Sequence, residues 1–280
     1  MNLFGLIGDP VGHSISPAMM NAAFRAQGEP AVYLPFRVDA GEVEIALGGL
    51  RAIGAKGVNV TIPHKIAAFN WVGSRTREAV AANAVNTIRF DQHGSVGHNT
   101  DVSGWWRSIA DAVPEGPVDV AILGAGGSVQ AILTALSMHR PEAVVEVIAR
   151  NAEAVSRLQA HFADSLNIRH AAWEKRADAV AKAWVVVQCT PIGMWPRVDE
   201  AAIDDAGVFQ PGQVVQDIVY RPLETRFLAC ARSGGARVID GATMLIGQGV
   251  DAYEWWLGRE APADVMASTV YEALRKEQAL

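Results

Sequence analysis

The chain has 280 residues, half of them hydrophobic and 19% charged, which excludes a disordered polymer and suits two domains of roughly 150 residues each. Thirty acidic against 24 basic residues give a formal charge of −6, so the basic footprint of a nucleic-acid binder is absent. Its two cysteines, Cys189 and Cys230, match neither a disulfide framework nor a metal-ligand spacing, and point to a reducing compartment.

In chain order, residues 1–8 read as a strand and 16–27 as a helix with Pro17 in its first turn. A strand at 31–38 follows, Asp39 is placed to cap a helix at 40–49, and 57–61 is a buried strand. Segments 84–90 and 95–98 read as a hairpin around 91–94. Proline, glycine and acids cluster at 111–117 and mark a break. After it come a buried strand at 118–123, a glycine loop, a helix to His139 and a second strand at 143–148, the spacing of a right-handed βαβ crossover. Further strands are expected at 184–188, 214–218 and 237–240, with a helical tail from Met244. This alternation predicts α/β layers and a mainly parallel sheet. The longest apolar run, near 183–187, falls far short of the ~20 residues of a membrane span, and Met1-Asn2-Leu3-Phe4-Gly5 lacks a leader pattern. A cytoplasmic protein acting on a small molecule, with no nucleic-acid or membrane partner, is therefore expected. Monomer and homodimer both remain open.

Gly124-Ala125-Gly126-Gly127-Ser128 lies between a strand and a helix, the context that makes a glycine motif a dinucleotide site. Gly124 permits the tight turn, and Gly126 lets backbone N–H groups approach a pyrophosphate at the helix N-terminus. Val129 takes the third glycine position. The second strand ends at Arg150 rather than at the acid that receives the ribose hydroxyls of NAD, and a guanidinium suits a 2′-phosphate. NADP is the expected cofactor, with NAD as the alternative.

Three polar clusters stand where strands end. In Gly12-His13-Ser14-Ile15-Ser16-Pro17, Ser16 reads as an N-cap, which leaves Ser14 to bind an anion beside the helix-terminal N–H groups. In Asn59-Val60-Thr61-Ile62-Pro63-His64-Lys65, the lysine falls in a helix's first turn. There the positive end of the helix disfavours an ammonium, which suits a lysine that exchanges protons. In the third cluster, Asp101 follows Asn99-Thr100, either as a helix cap or as a carboxylate partner for Lys65. His13, His64 and His98 match no metal-ligand set, and no metal is expected.

Together these segments resemble the shikimate dehydrogenase family over nearly the full chain and in the same order. The resemblance is carried by His13-Ser14-Ile15-Ser16-Pro17, the 59–65 segment, Asn99-Thr100-Asp101 and the loop at 124–127. Thr190-Pro191-Ile192-Gly193-Met194, which matches a family loop near the nicotinamide, Asp217-Ile218-Val219-Tyr220-Arg221-Pro222, and Gly241-Ala242-Thr243-Met244-Leu245 through Gln248 complete it. It implies reversible hydride transfer between NADP(H) and shikimate or 3-dehydroshikimate, in the pathway to chorismate and the aromatic amino acids. Lys65 and Asp101 would be the catalytic pair; Ser14, Ser16 and Tyr220 would hold the substrate carboxylate, and Thr61, Asn86, Asp101 and Gln248 its ring hydroxyls. Gly124, Ala125, Gly126, Gly127, Ser128, Arg150, Thr190, Met194 and Gly241 would bind the cofactor. The implied architecture is an N-terminal α/β substrate domain at 1–101 and an inserted Rossmann domain at 102–239, with C-terminal helices at 240–280 returning to the substrate domain.

Some positions depart from the family pattern. Met20 replaces a histidine, Asn83 a glycine, and Gln188-Cys189 a small polar pair. Around Arg150, Ala149, Asn151 and Ala154 replace the usual polar or basic residues. The departures around Arg150 leave room for NAD in place of NADP, and the others for a paralogue acting on quinate, an aminated shikimate or another cyclic polyol acid. A non-catalytic NADP(H) sensor is a more distant alternative.

Overall fold

The computed structural model describes residues 1–278, which fall into two compact units. Unit 1 comprises Met1–Gly104 and Ile246–Ala273; unit 2 comprises Trp105–Leu245 and the C-terminal residues from Leu274.

In unit 1 the chain runs β1 (Asn2–Gly8), α1 (Ser16–Ala26), β2 (Ala31–Arg37), α2 (Val43–Ala52), β3 (Gly57–Val60), α3 (Lys65–Trp71), β4 (Ser74–Arg75), α4 (Arg77–Ala81), β5 (Thr87–Asp91), β6 (Gly94–His98) and the start of α5 (Thr100–Ile109). The sheet order is β2-β1-β3-β5-β6-β4. β1 pairs in parallel with β2 and β3, whereas β5 runs antiparallel to both β3 and β6. The predicted hairpin is present, but its first strand starts at Thr87 rather than residue 84. The left-handed turn at Asn83 (φ +44°) precedes it; asparagine tolerates that conformation better than other side-chain-bearing residues.

Alternation along the strands gives the sheet two apolar faces. Val58, Val60 and Ile88 pack with Leu47, Leu50 and Ala68 on one side. Phe4, Phe24, Tyr253 and Trp256 form an aromatic cluster with centroids 4.9–5.6 Å apart. Gly57 is required there, because a Cβ would lie 2.4 Å from the Trp256 indole nitrogen, which donates to the Ile88 carbonyl. The helix expected at 40–49 runs from Val43 to Ala52, with Glu42 rather than Asp39 at its N-cap position. Burial explains the shift, since Val43, Leu47 and Leu50 are the residues on its apolar stripe.

Unit 2 continues with β7 (Asp119–Leu123), α6 (Gly127–His139), β8 (Val144–Ile148), α7 (Ala152–His161), β9 (Asn167–Ala171), α8 (Arg176–Lys182), β10 (Val185–Gln188), β11 (Val214–Asp217), α9 (Arg226–Ser233), β12 (Arg237–Ile239) and the first residues of α10 (Gly241–Leu257), whose remainder, like most of α11 (Ala263–Gln278), belongs to unit 1. The six strands of unit 2 are all parallel, in the order β12-β11-β10-β7-β8-β9. Counted within the unit this is 6-5-4-1-2-3, the doubly wound dinucleotide-binding topology. The central strands are near-continuous apolar runs because helices cover both of their faces. β9 is a half-exposed edge strand, Asn-Ile-Arg-His-Ala, too polar to stand out by periodicity. Among the described residues no helix is long and apolar enough to cross a membrane.

Two glycines bring α5 against α10 within unit 1. A Cβ on Gly104 would lie 2.4 Å from the backbone nitrogen of Gln248, and one on Gly247 would lie 2.8 Å from the Gly104 carbonyl. Gly104→Ala is therefore expected to lower stability by about 1–3 kcal/mol through overpacking of two backbones. Gly48→Ala, inside α2 with nothing near its Cβ position, should instead raise it by about 0.5–1 kcal/mol. Thermal melts of both variants check the opposite signs.

Candidate active site

The catalytic candidates meet in unit 1. Lys65 is the first residue of α3 and Asp101 the second of α5, and Lys65 Nζ donates to Asp101 Oδ2 at 2.5 Å. Their side chains are only 21% and 13% exposed, so water screens the pair weakly. Asp101 does not cap its helix. That role falls to Asn99, whose Oδ1 accepts from the Asp101 N–H at 3.1 Å while its amide donates to the Ala84 carbonyl. The Asp101 carboxylate is thereby left for Lys65.

Behind the pair lies a buried hydrogen-bond lattice that composition and periodicity do not reveal. Asn86 Oδ1 accepts from the Thr100 N–H at 2.8 Å and the Thr87 hydroxyl at 2.9 Å, and Asn86 Nδ2 donates to Thr100 Oγ1 at 3.1 Å. Asn59 Nδ2 donates to Thr87 Oγ1 at 2.9 Å, and its Oδ1 accepts from the Tyr33 hydroxyl at 2.7 Å. Asn86, Thr87 and Thr100 are 0–3% exposed. The Asn86 oxygen is thus satisfied by the protein, which leaves one amide N–H for a ligand. The sequence signal for this lattice is Asn59 itself, a polar side chain in a fully buried four-residue strand.

Ser16 does not take the N-cap role expected of it. Ser16 is the first residue of α1 and is buried, while the N-cap position belongs to Ile15. Ser14 Oγ accepts from the Ser16 N–H at 3.2 Å, so Ser14 supplies the local cap and keeps its own O–H for donation. Thr61 follows β3, half-buried, with its N–H on the Ile7 carbonyl at 2.9 Å. Gln248 lies in α10 over Gly104. His64 is a core residue whose ring bonds the Val38 carbonyl at 2.7 Å. His98 bonds Thr76 and packs against Trp255 in a tilted ring contact, and burial lowers its pKa. Among the described residues no group of three or more His, Cys, Asp or Glu is arranged to hold a metal ion.

The cofactor candidates lie in unit 2, at the carboxyl ends of the parallel strands. Gly124 has φ +116°, which disfavours a side chain, and its N–H bonds the Ile148 carbonyl at 2.9 Å. Gly126 occupies the N-cap position of the 13-residue α6. A Cβ on Gly126 or Gly127 would meet no protein atom within 4 Å, so this backbone is open to a ligand. Ala125 and Ser128 are half-buried in the same turn. Arg150 follows β8 and is exposed, and Asn151 beside it caps α7 by accepting from the Ala154 N–H. No acid stands at that strand tip.

Thr190 donates through both its N–H and its hydroxyl to Gln188 Oε1, while Met194 is 45% exposed. Gly241 packs on the Ile218–Val219 backbone, where a Cβ would lie 2.5 Å from the Val219 carbonyl. Tyr220 also belongs to this unit, and burial raises its hydroxyl above the ordinary tyrosine range. Asp217, at the end of β11, was not among the expected site residues. It is fully buried and accepts bonds from Thr225, Val219 and Gln188, and burial pushes its carboxyl up to about 7.

Comparison with known proteins places the chain. The family model described as the shikimate dehydrogenase substrate binding domain matches residues 6–88, and that of the shikimate 5′-dehydrogenase C-terminal domain matches 241–271. A shikimate dehydrogenase (NADP(+)) of Moorella thermoacetica is 42% identical, with 97% of this chain and 93% of that protein covered. The chain belongs to the shikimate dehydrogenase family. A solved shikimate 5-dehydrogenase of Thermus thermophilus, in complex with NADP(H) and shikimate, is 30% identical with a TM-score of 0.87, over 98% of this chain and 100% of that one. A quinate dehydrogenase of Corynebacterium glutamicum in complex with NAD is 31% identical with a TM-score of 0.89, over 97% and 99%.

The Asp217 environment has a sign in stability. Its carboxyl is held near 7 in the folded state against an ordinary 3.8, so between these values the native chain keeps a proton that the unfolded chain has lost. That contribution is complete below the ordinary value and disappears as pH rises through about 7. Asp217→Asn, neutral throughout, should flatten the fall in melting temperature between pH 5 and pH 8; an unchanged slope would refute this origin.

Proposed function

We infer that the protein is an NADP-dependent shikimate dehydrogenase, interconverting shikimate and 3-dehydroshikimate. The observation that carries this reading is the shielded Lys65–Asp101 ion pair, 2.5 Å long, in a chain of this family. Unit 1 is assigned to the substrate and unit 2 to the cofactor. The open backbone at Gly126 and Gly127, the N-terminus of α6 and the acid-free strand tip at Arg150 fit NADP, with Arg150 placed for the 2′-phosphate. Thr190, Met194 and Gly241 line the remainder of that assignment. NADP(H), when bound, supplies the hydride chemistry.

In the reduction direction Lys65 donates a proton to the oxygen that gains negative charge at the substrate's carbonyl carbon; in oxidation the lysine amine takes that proton from the hydroxyl. The Asp101 carboxylate orients the lysine and accepts from a neighbouring ring hydroxyl. Asn86, its oxygen already bonded within the protein, offers only an N–H to the substrate, and so recognises a hydroxyl through its oxygen. Thr61 and Gln248 complete the set for the ring. Ser14 and Ser16, with the first turn of α1, bind the carboxylate. The free thiols Cys189 and Cys230 suit the cytoplasm.

A variant of the same chemistry that uses NAD is favoured by one observation: Arg150 has Ala154 where a second basic residue would strengthen the phosphate grip. Initial rates at the reduced-nicotinamide band, with shikimate and quinate each offered NADP⁺ and NAD⁺, decide between them. Turnover is expected with shikimate and NADP⁺, and preference for quinate with NAD⁺ would reverse the assignment. Lys65→Ala should lower kcat by about 10²–10⁴-fold with little change in NADP⁺ affinity. Full turnover in that variant would refute the proton-transfer role.

A further inference from the structure

Gln188 closes β10 with a fully buried carboxamide. Its Nε2 shares two hydrogens among the carbonyls of Thr190 (3.0 Å) and Ile192 (3.2 Å) and Asp217 Oδ1 (3.2 Å). Its Oε1 accepts from the Thr190 N–H at 2.5 Å and the Thr190 hydroxyl at 2.7 Å. One side chain therefore satisfies the backbone groups at the start of the 190–194 loop, groups that a strand end otherwise leaves unpaired.

Asp217 anchors this amide from the neighbouring strand. It accepts from the Val219 N–H at 2.9 Å and from the Thr225 hydroxyl at 2.7 Å, and Thr225 Oγ1 in turn caps α9 through the Leu228 N–H. Farther along, the Trp195 N–H donates to the Arg221 carbonyl at 2.8 Å, and Arg221 is paired with Glu277 at 2.7 Å. Segments 190–196 and 217–222 are thus joined at both ends. The large side chains at the loop's tip do not hold it down, since Met194 and Trp195 are 45% and 59% exposed. Ile192 packs on the core, but the path of the backbone on either side follows the Gln188 amide.

We propose that Gln188, held by Asp217, is the positioning residue of the 190–194 loop and sets where Thr190 and Met194 meet the nicotinamide end of the cofactor. The proposal rests on the reading that this loop faces NADP(H). It separates two functions within one strand end: the Gln188 amide is buried and spent on the protein, yet the placement of the ligand's reactive end depends on it.

The test compares Gln188→Met, close in shape but without the amide, with Val187→Ala, which opens a cavity in the same buried strand. In Gln188→Met the KM for NADP⁺ and kcat should each worsen by about tenfold or more, the scale of a misplaced reacting group. The primary isotope effect with shikimate deuterated at the reacting carbon should rise. Val187→Ala should lower the melting temperature and leave those three quantities unchanged. Should Gln188→Met fail to fold, Gln188→Asn, one methylene shorter, must shift them in the same direction. Wild-type kinetics in a folded Gln188 variant, or equal kinetic losses in Val187→Ala, would overturn the proposal. Calorimetric NADP⁺ binding to the same variants is read independently of turnover. Wild-type enzyme that binds NADP⁺ but does not oxidise shikimate would defeat the functional reading alone, while unaltered NADP⁺ affinity in both Gln188 variants would defeat the positioning role.

Discussion

An ammonium and a carboxylate withdrawn from water are stable only where their geometry is fixed and their remaining bonds are satisfied. The Lys65–Asp101 pair meets that condition through groups that carry no charge. Asn99 takes over the capping of α5, and the Thr100 N–H is held by Asn86, so the first turn of the helix cannot rotate Asp101 away. Asn86 is fixed by Thr87, Thr87 by Asn59, and Asn59 by the Tyr33 hydroxyl. The lattice reaches from β2 across β3 and β5 to α5, and every member has a partner. A fully connected network of this kind gives rigidity that a partly satisfied one would forfeit.

The same economy of polar groups recurs in unit 2. Parallel strands end with unpaired backbone groups beside helix N-termini, so polar side chains collect there for a structural reason before any chemistry is considered. Gln188 and Asp217 close adjacent strands in register and are bonded to each other. Gly124 and Gly126, one strand further, leave the backbone bare instead. Whether a strand end becomes a ligand surface or a rigid hinge point thus depends on whether its side chain turns inward to the loop or is missing altogether.

How much of this was legible in the sequence varied with the range of the interaction. The βαβ unit from residue 118 to 148 was readable because its strands are continuous apolar runs and its turn is marked by glycines, both local signals. Lys65 and Asp101 were visible as polar residues at helix starts, and the family resemblance paired them. Spacing alone could not, because 36 residues separate the two. The start of α2 was displaced since Asp39 is a good cap by type, whereas the apolar stripe of Val43, Leu47 and Leu50 decides the helix. The roles of Ser14 and Ser16 depended on which hydroxyl faces the other's N–H, a matter of backbone angles that residue types do not encode. β9 was missed because an exposed edge strand has neither a buried run nor clean alternation.

Asn59 and Gln188 show what distinguishes a positioning residue from a binding one. Each is a buried carboxamide in a valine-rich strand, a placement that burial alone disfavours. Each meets that desolvation penalty by bonding the protein at both ends of its amide, donor and acceptor together. An amide that is to meet a ligand must keep a hydrogen unused, and the Asn86 amide, bonded at both ends, still keeps a single N–H. The number of hydrogen bonds left over, more than the identity of the residue, therefore separates the groups that meet substrate from the groups that hold them in place.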